Sequence, residues 1–222
     1  MIIDHTHPEY QKRWKLAGDN RWNGAFYYSE EIVKNIIPMV KTDRNWVTIN
    51  IPGTACEHSI VFIHNNLDPA KTYSWLRKYK DLVLVCGLPE TVPKVSHLGR
   101  AIYLPLSVDV NQVRRFQTKK TKYLAYAGRP TKANAFFPPE TEFLQGMPRA
   151  ALLGEIAKYE YIYAVGRTAI EAKILGCEVL RYDVRFPDPD LWQILDNKDA
   201  ARLLQEKLDD LSDADQYSRN QL

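Results

Sequence analysis

Cysteine is scarce in this chain: Cys56, Cys86 and Cys177 are an odd number and lie far apart in 222 residues. Such spacing offers no disulfide framework and reads as reduced, buried thiols of a cytosolic protein. No stretch approaches the roughly 18 apolar residues of a membrane span. The opening MIIDHTHPEY lacks the basic head and apolar centre of a secretory signal. The expectation is a cytoplasmic protein with no membrane span. A surplus of one charge is missing too, with 30 Lys and Arg against 27 Asp and Glu. A net charge of +3 is too small for tracking a phosphate backbone, so no nucleic-acid partner is expected. The one basic cluster, Arg114, Arg115, Lys119, Lys120 and Lys122, reads as a solvated linker. There is no Walker loop, GxSxG elbow or GxGxxG fingerprint, which disfavours P-loop, hydrolase-elbow and dinucleotide chemistry.

What is present is an ordinary globular composition, 45% hydrophobic and 26% charged, in a chain long enough for one large domain or two small ones. The opening residues, with Trp14, Trp22 and a turn at Gly18 to Asn20, have no clear period and read as an arm or irregular cap. Ser29 precedes Ile32, Val33, Ile36 and Ile37 at helical spacing and reads as the cap of a helix ending near Pro38 to Lys41. Strands are expected at Trp46 to Ile51, Ile60 to His64, Leu82 to Cys86 and Ala101 to Leu104, with a helix at Pro69 to Tyr79. Alternation of this kind argues for a parallel sheet with helices on its faces. Pro105 to Thr121, with a short helix around Val110 to Phe116, is the best candidate linker. A second α/β series follows: strands at Tyr123 to Ala127 and near Phe143, then a helix at Arg149 to Tyr159. A terminal helix is expected at Lys198 to Leu211, followed by a fraying tail.

The densest stretch is Tyr159 to Asp183, YEYIYAVGRTAIEAKILGCEVLRYD. Tyr161 to Val165 reads as a buried strand, and Gly166 permits the sharp exit into a helix at Thr168 to Leu175. Gly176 stops that helix, and Glu178 to Tyr182 resumes as a strand. This is a right-handed parallel βαβ unit, whose ligands lie beyond the C-terminal ends of the strands. Gly166, Arg167, Thr168 and Glu171 fall there. Free amides at a helix start suit a phosphate, although helix capping alone would also explain Thr168.

The order of the pieces VFIHNN (61–66), DLVLVCG (81–87), YLPLSVD (103–109), YAGRPTK (126–132) and GRTAIEAKILGCEVL (166–180) resembles a retaining, group 1 nucleotide-sugar glycosyltransferase. That is the two-Rossmann-domain, GT-B type. The resemblance implies an α/β protein of two Rossmann-like parallel-sheet halves, residues 1–107 on the acceptor side and 108–222 on the nucleotide-sugar side, with the first half reduced. It implies a UDP- or GDP-sugar donor, an acceptor not identified, and hexose transfer without metal or other cofactor. Arg129 and Lys132 resemble the basic pair that holds the donor diphosphate, with Gly128 beside them; a guanidinium and an ammonium suit that charge. Glu171 resembles the carboxylate that takes the ribose, and His64 the cleft histidine that contacts the transferred sugar. Asn65, with Asn66, could bind acceptor hydroxyls. Each has a plainer reading: Arg129 and Lys132 as loop charges, Glu171 as an exposed helix-face residue, His64 as a satisfied strand-edge histidine.

The chain also departs from that pattern. The acceptor loop is missing, little chain separates Arg129 from Phe143, and the first of the family's paired glutamates would fall at Tyr163. The rival expectation is a non-catalytic module that binds or sequesters a nucleotide in the same fold. Two metal-like patterns carry less. Asp188-Pro189-Asp190 has D-x-D spacing but reads as a turn and helix cap. Asp4, His5 and His7 have a metal cluster's composition, but His58, His64 and His97 make no partner set, and no metal site is expected.

Overall fold

The protein is described from a computed structural model covering residues 1–16, 24–64, 68–128 and 137–219. It is α/β and contains two all-parallel sheets. The first has the order β1-β2-β3-β4-β5, with β1 Ile2–Ile3, β2 Asn45–Val47, β3 Ser59–Ile63, β4 Leu82–Cys86 and β5 Arg100–Tyr103. The second has the order β7-β6-β8-β9, with β6 Lys122–Tyr126, β7 Glu142–Phe143, β8 Tyr159–Tyr163 and β9 Glu178–Leu180.

Parallel strands covered on both faces should be apolar without alternation, and SIVFI and LVLVC are fully buried runs. Period two then divides them between two cores. Ile60, Phe62, Val83 and Val85 face one core, whereas Val61, Ile63, Leu82 and Leu84 face the other. The first core is closed by α2 (Gly24–Glu31) and by α8 (Asn197–Arg219), whose Ala200, Leu204 and Leu208 pack beside Ile32 and Ile36. The end of the chain therefore returns to the first sheet. An apolar stripe on α8 that ends at Leu211 drives that return, and the helix itself continues to Arg219, through the stretch expected to fray.

Several local expectations shift for identifiable reasons. The opening MII is a strand, because Ile2 and Ile3 pair in register with Trp46 and Val47, and α1 (Pro8–Leu16) follows it. Ser29 is not a cap but lies inside α2, fully buried, with its Oγ 2.7 Å from Thr48 Oγ1. Beyond Glu31 the helix widens into a π turn over Ile32–Ile36, and Ile37 N–H donates back to the Ile32 carbonyl. Pro38 follows, and it has no N–H to continue the ladder. The helix expected from Pro69 to Tyr79 breaks into α3 (Pro69–Thr72), capped by Asp68, and a 3₁₀ turn over Ser74–Lys78.

In the second sheet β6 is the switch strand, with β7 on one side and β8 on the other. Right-handed crossovers from β7 to β8 and from β8 to β9 put α6 (Arg149–Ile156) and α7 (Arg167–Ile174) on one face. Together with α5 (Val110–Arg114) they enclose Ala125, Ile162 and Val179. The basic cluster is not simply solvated. Lys120 Nζ lies 3.0 Å from the Ala157 carbonyl, 2.9 Å from that of Leu175 and 3.1 Å from Cys177 Sγ, satisfying carbonyls at the ends of α6 and α7. Lys122 joins Glu142 at 2.9 Å and the Tyr159 hydroxyl at 3.0 Å. Two chain crossings connect the halves and touch each other, since Val108 N–H donates to the Leu195 carbonyl at 3.1 Å.

Candidate functional site

Helix α2 lies along the C-terminal edge of the first sheet. Tyr28 packs edge-on against Phe62 and against His64, which follows β3, with ring centroids 6.2 and 6.0 Å apart. Ser29 reaches Thr48 beyond β2 and accepts from His5 N–H beyond β1 at 3.1 Å. Glu31, at the end of the same helix, enters the second half. Its carboxylate accepts from Arg167 Nη2, lies 3.5 Å from Arg149 Nη2, and takes Asn197 Nδ2 at 3.2 Å. Arg149 and Arg167 open α6 and α7 at the C-terminal edge of the second sheet. The C-terminal edges of both sheets therefore meet at one helix.

At that junction Glu171 Oε1 accepts from Arg167 Nε at 2.7 Å and lies 2.8 Å from Arg149 Nη2. Glu171 is 3% exposed, so the exposed-glutamate expectation does not hold; facing the second core on α7, it is buried among its cations. Burial works against charge on Arg167, yet the Glu171 and Glu31 carboxylates hold its pKa above the ordinary guanidinium value. Burial pulls that of Arg149 down, and its guanidinium lies 5.3 Å above the Tyr27 ring. Both remain cations at neutral pH. Burial also raises the Tyr28 phenol, which faces Ser107, well above its usual pKa.

Thr168 is not the cap. Gly166 occupies that position with φ +64°, its carbonyl accepting from Ala169 and Ile170, and Thr168 is the second helical residue, half-buried. The positive φ is the reason a glycine stands there, and no atom lies within 4 Å of where its Cβ would be. Gly128 has a different reason: a Cβ would run into the Tyr126 hydroxyl. His64 is turned inward, with Nε2 2.9 Å from the Thr48 carbonyl and its own N–H on the Tyr73 hydroxyl at 3.0 Å. Burial lowers its pKa, so at neutral pH the ring is uncharged, Nε2–H donates to Thr48, and Nδ1 can act only as an acceptor. Arg129, Lys132 and Asn65 lie outside the described residues. Among the expected residues, the structure thus brings together Arg167 and Glu171 directly, while His64 packs against Tyr28 on the helix that carries Glu31.

No family model, curated protein or solved structure matches the chain. The site therefore rests on its own geometry. Around the switch strand that geometry includes a set of rings: Tyr126, Phe137, Phe143, Tyr163 and Tyr182, with centroid distances such as 4.8 Å for Tyr126–Phe137 and 5.2 Å for Phe137–Tyr163. Tyr126, Phe143 and Tyr163 are register partners on neighbouring strands, so their side chains share one face at the C-terminal edge. Phe143 is half exposed there.

Sequence reasoning missed Glu31 and Arg149. One signal was readable: Arg149 and Arg167 are cations at helix starts, where the macrodipole disfavours them, so a tertiary carboxylate was to be expected nearby. The D-x-D segment behaves as expected, with Asp188 Oδ1 accepting from Asp190 N–H at 3.0 Å to cap a 3₁₀ turn. His5 is engaged with Ser29 and with the Phe26 ring at 4.8 Å. No group of metal-ligating side chains occurs among the described residues, and none of their helices is long and apolar enough to cross a membrane.

Proposed function

We propose that the chain binds a nucleotide-sugar between its two halves, in the manner of GT-B glycosyltransferases, and transfers a hexose to an acceptor. The observation that carries this is the convergence of both C-terminal sheet edges on α2, because ligands of open parallel sheets lie at those edges. Gly166 and the start of α7 offer backbone amides to a phosphate. Arg129 and Lys132, following Gly128 in sequence, would neutralise the departing diphosphate. In transfer, the anomeric carbon would exchange its bond to a diphosphate oxygen for one to an acceptor hydroxyl oxygen, whose proton passes to the leaving diphosphate. Neutral His64 would accept a sugar hydroxyl's hydrogen bond at Nδ1 and would not serve as a proton donor.

A second reading, a nucleotide-binding module without chemistry, is favoured by Tyr163 in place of a carboxylate and by the engagement of Glu171 with two guanidiniums. A thermal-shift panel of nucleoside diphosphates and nucleotide-sugars tests both. Stabilisation with donor hydrolysis that Arg129→Ala abolishes supports the enzyme, and stabilisation without turnover supports the module. No response to any nucleotide removes both.

A further inference from the structure

Two eight-residue helices, α6 and α7, begin side by side with an arginine at each first position. Their positive dipole ends and two guanidiniums gather positive potential at one point. Among the described residues of the second half, only Glu171 answers it. Neutrality comes from Glu31, which belongs to the helix of the opposite half and is 12% exposed in its side chain. Arg167 is 6% exposed and places Nε on Glu171 and Nη2 on Glu31, while its Nη1 has no hydrogen-bond partner. A buried guanidinium with an unmet donor points to an acceptor that the protein itself does not supply. Beside it, Asn197 bonds Glu31 through Nδ2 and leaves Oδ1 unmet.

We infer that Arg149 and Arg167, at the starts of α6 and α7, form an anion site for a diphosphate, and that Glu31 occupies it as an intramolecular stand-in that latches the two halves. A diphosphate carries more charge and more acceptor oxygens than one carboxylate, so it can meet Nη1 as well as the contacts Glu31 now makes. Displacing Glu31 breaks the carboxylate contact between α2 and α7 and loosens the junction, which is then held by the paired crossings at Val108 and Leu195, the packing of Arg149 on Tyr27 and the insertion of Leu88 into the second core. Anion binding and loosening of the junction are therefore coupled, and each favours the other by the same factor. The anion site stands on this cluster, while assigning the diphosphate to a sugar nucleotide rests on the function proposed above.

The test is inorganic pyrophosphate titrated into the full chain, with thermal midpoint and radius of gyration as readouts. Glu31→Gln keeps the shape and the Asn197 contact but removes the competing charge. Its apparent Kd for pyrophosphate should be about tenfold lower than that of the unaltered chain. Glu31→Asp, which keeps the charge but withdraws it, should fall between the two, and it also serves if Glu31→Gln does not fold. In the unaltered chain, pyrophosphate should raise the radius of gyration. Equal affinities across the three proteins, or no response in any of them, would overturn the inference. A pyrophosphate response strengthened in Glu31→Gln, with no added effect of any nucleoside, would keep the latch and remove the nucleotide reading. Nucleotide binding indifferent to Glu31 would do the reverse.

Discussion

Two polar clusters stand at opposite edges of the first sheet, built from similar side chains, and burial separates them. At the C-terminal edge Glu31, Glu171, Arg149 and Arg167 are largely shut from water, with side-chain exposures from 4% to 17%. At the N-terminal edge His58 bridges Asp43 and Asp81, at 3.1 and 2.5 Å, and Asp81 also meets Arg44 at 2.9 Å and Arg100 at 3.7 Å. There His58 is 42% and Asp43 88% exposed, beside an open polar groove of about 420 Å³. Water screens the second cluster and weakens the dependence of its charges on one another. In the first, each charge depends on its partners, because an unpaired buried ion has nothing to replace its hydration.

The largest effect should follow from breaking the buried cluster. Glu171→Ala leaves two guanidiniums short of a carboxylate and should cost about 3–5 kcal/mol in chemical denaturation; a loss as small as that of a surface pair would mean the cluster is open to water. Lys120→Met comes next, at about 1–3 kcal/mol, since it strips the carbonyls of Ala157 and Leu175 of their shared donor. An unchanged midpoint would show that water reaches those helix ends. Phe143→Ala, at the half-exposed rim of the ring set, should cost about 0.5–1.5 kcal/mol in chemical denaturation, and no change would show that the rim rings do not pack on one another.

The smallest effect belongs to the exposed cluster, and pH reveals it. Hydrogen bonds to Asp81 and then Asp43 raise the His58 pKa, so its contribution is full below the unfolded value near 6.5 and disappears as pH rises through the higher folded value. His58→Ala should remove this pH dependence, and added salt should blunt it in the unaltered chain, whereas the buried cluster should be salt-insensitive. Equal salt sensitivity in the two clusters would erase the distinction between them.

The βαβ unit was legible because its signals are local: a β-branched and aromatic run, a glycine that must take positive φ, and a glycine stop at Gly176. The fully buried strands β3 and β4, apolar but for Ser59, were legible for the same reason. β1 was not, because two isoleucines carry no period, and only pairing with Trp46 and Val47 makes them a strand. Glu171 drew attention as the acidic residue of a helix after a glycine turn, but its burial depends on Arg149, in a different helix, as well as on Arg167 one turn away. Lys120 looked like one charge among several until three acceptors distant in sequence closed around it.

By itself, then, the sequence determined two parallel α/β series, a glycine-led helix start at Gly166 and the absence of any apolar span. Hydrophobic period, turn chemistry and composition act over a few residues and can be read there. Only the tertiary structure decided that α8 closes the first core, that α2 meets both sheet edges, and that Glu31 answers Arg167. Those are pairings between distant segments, fixed by which buried surfaces and charges find partners when the chain folds; a local pattern, such as the arginines at two helix starts, can ask for a partner but cannot name it.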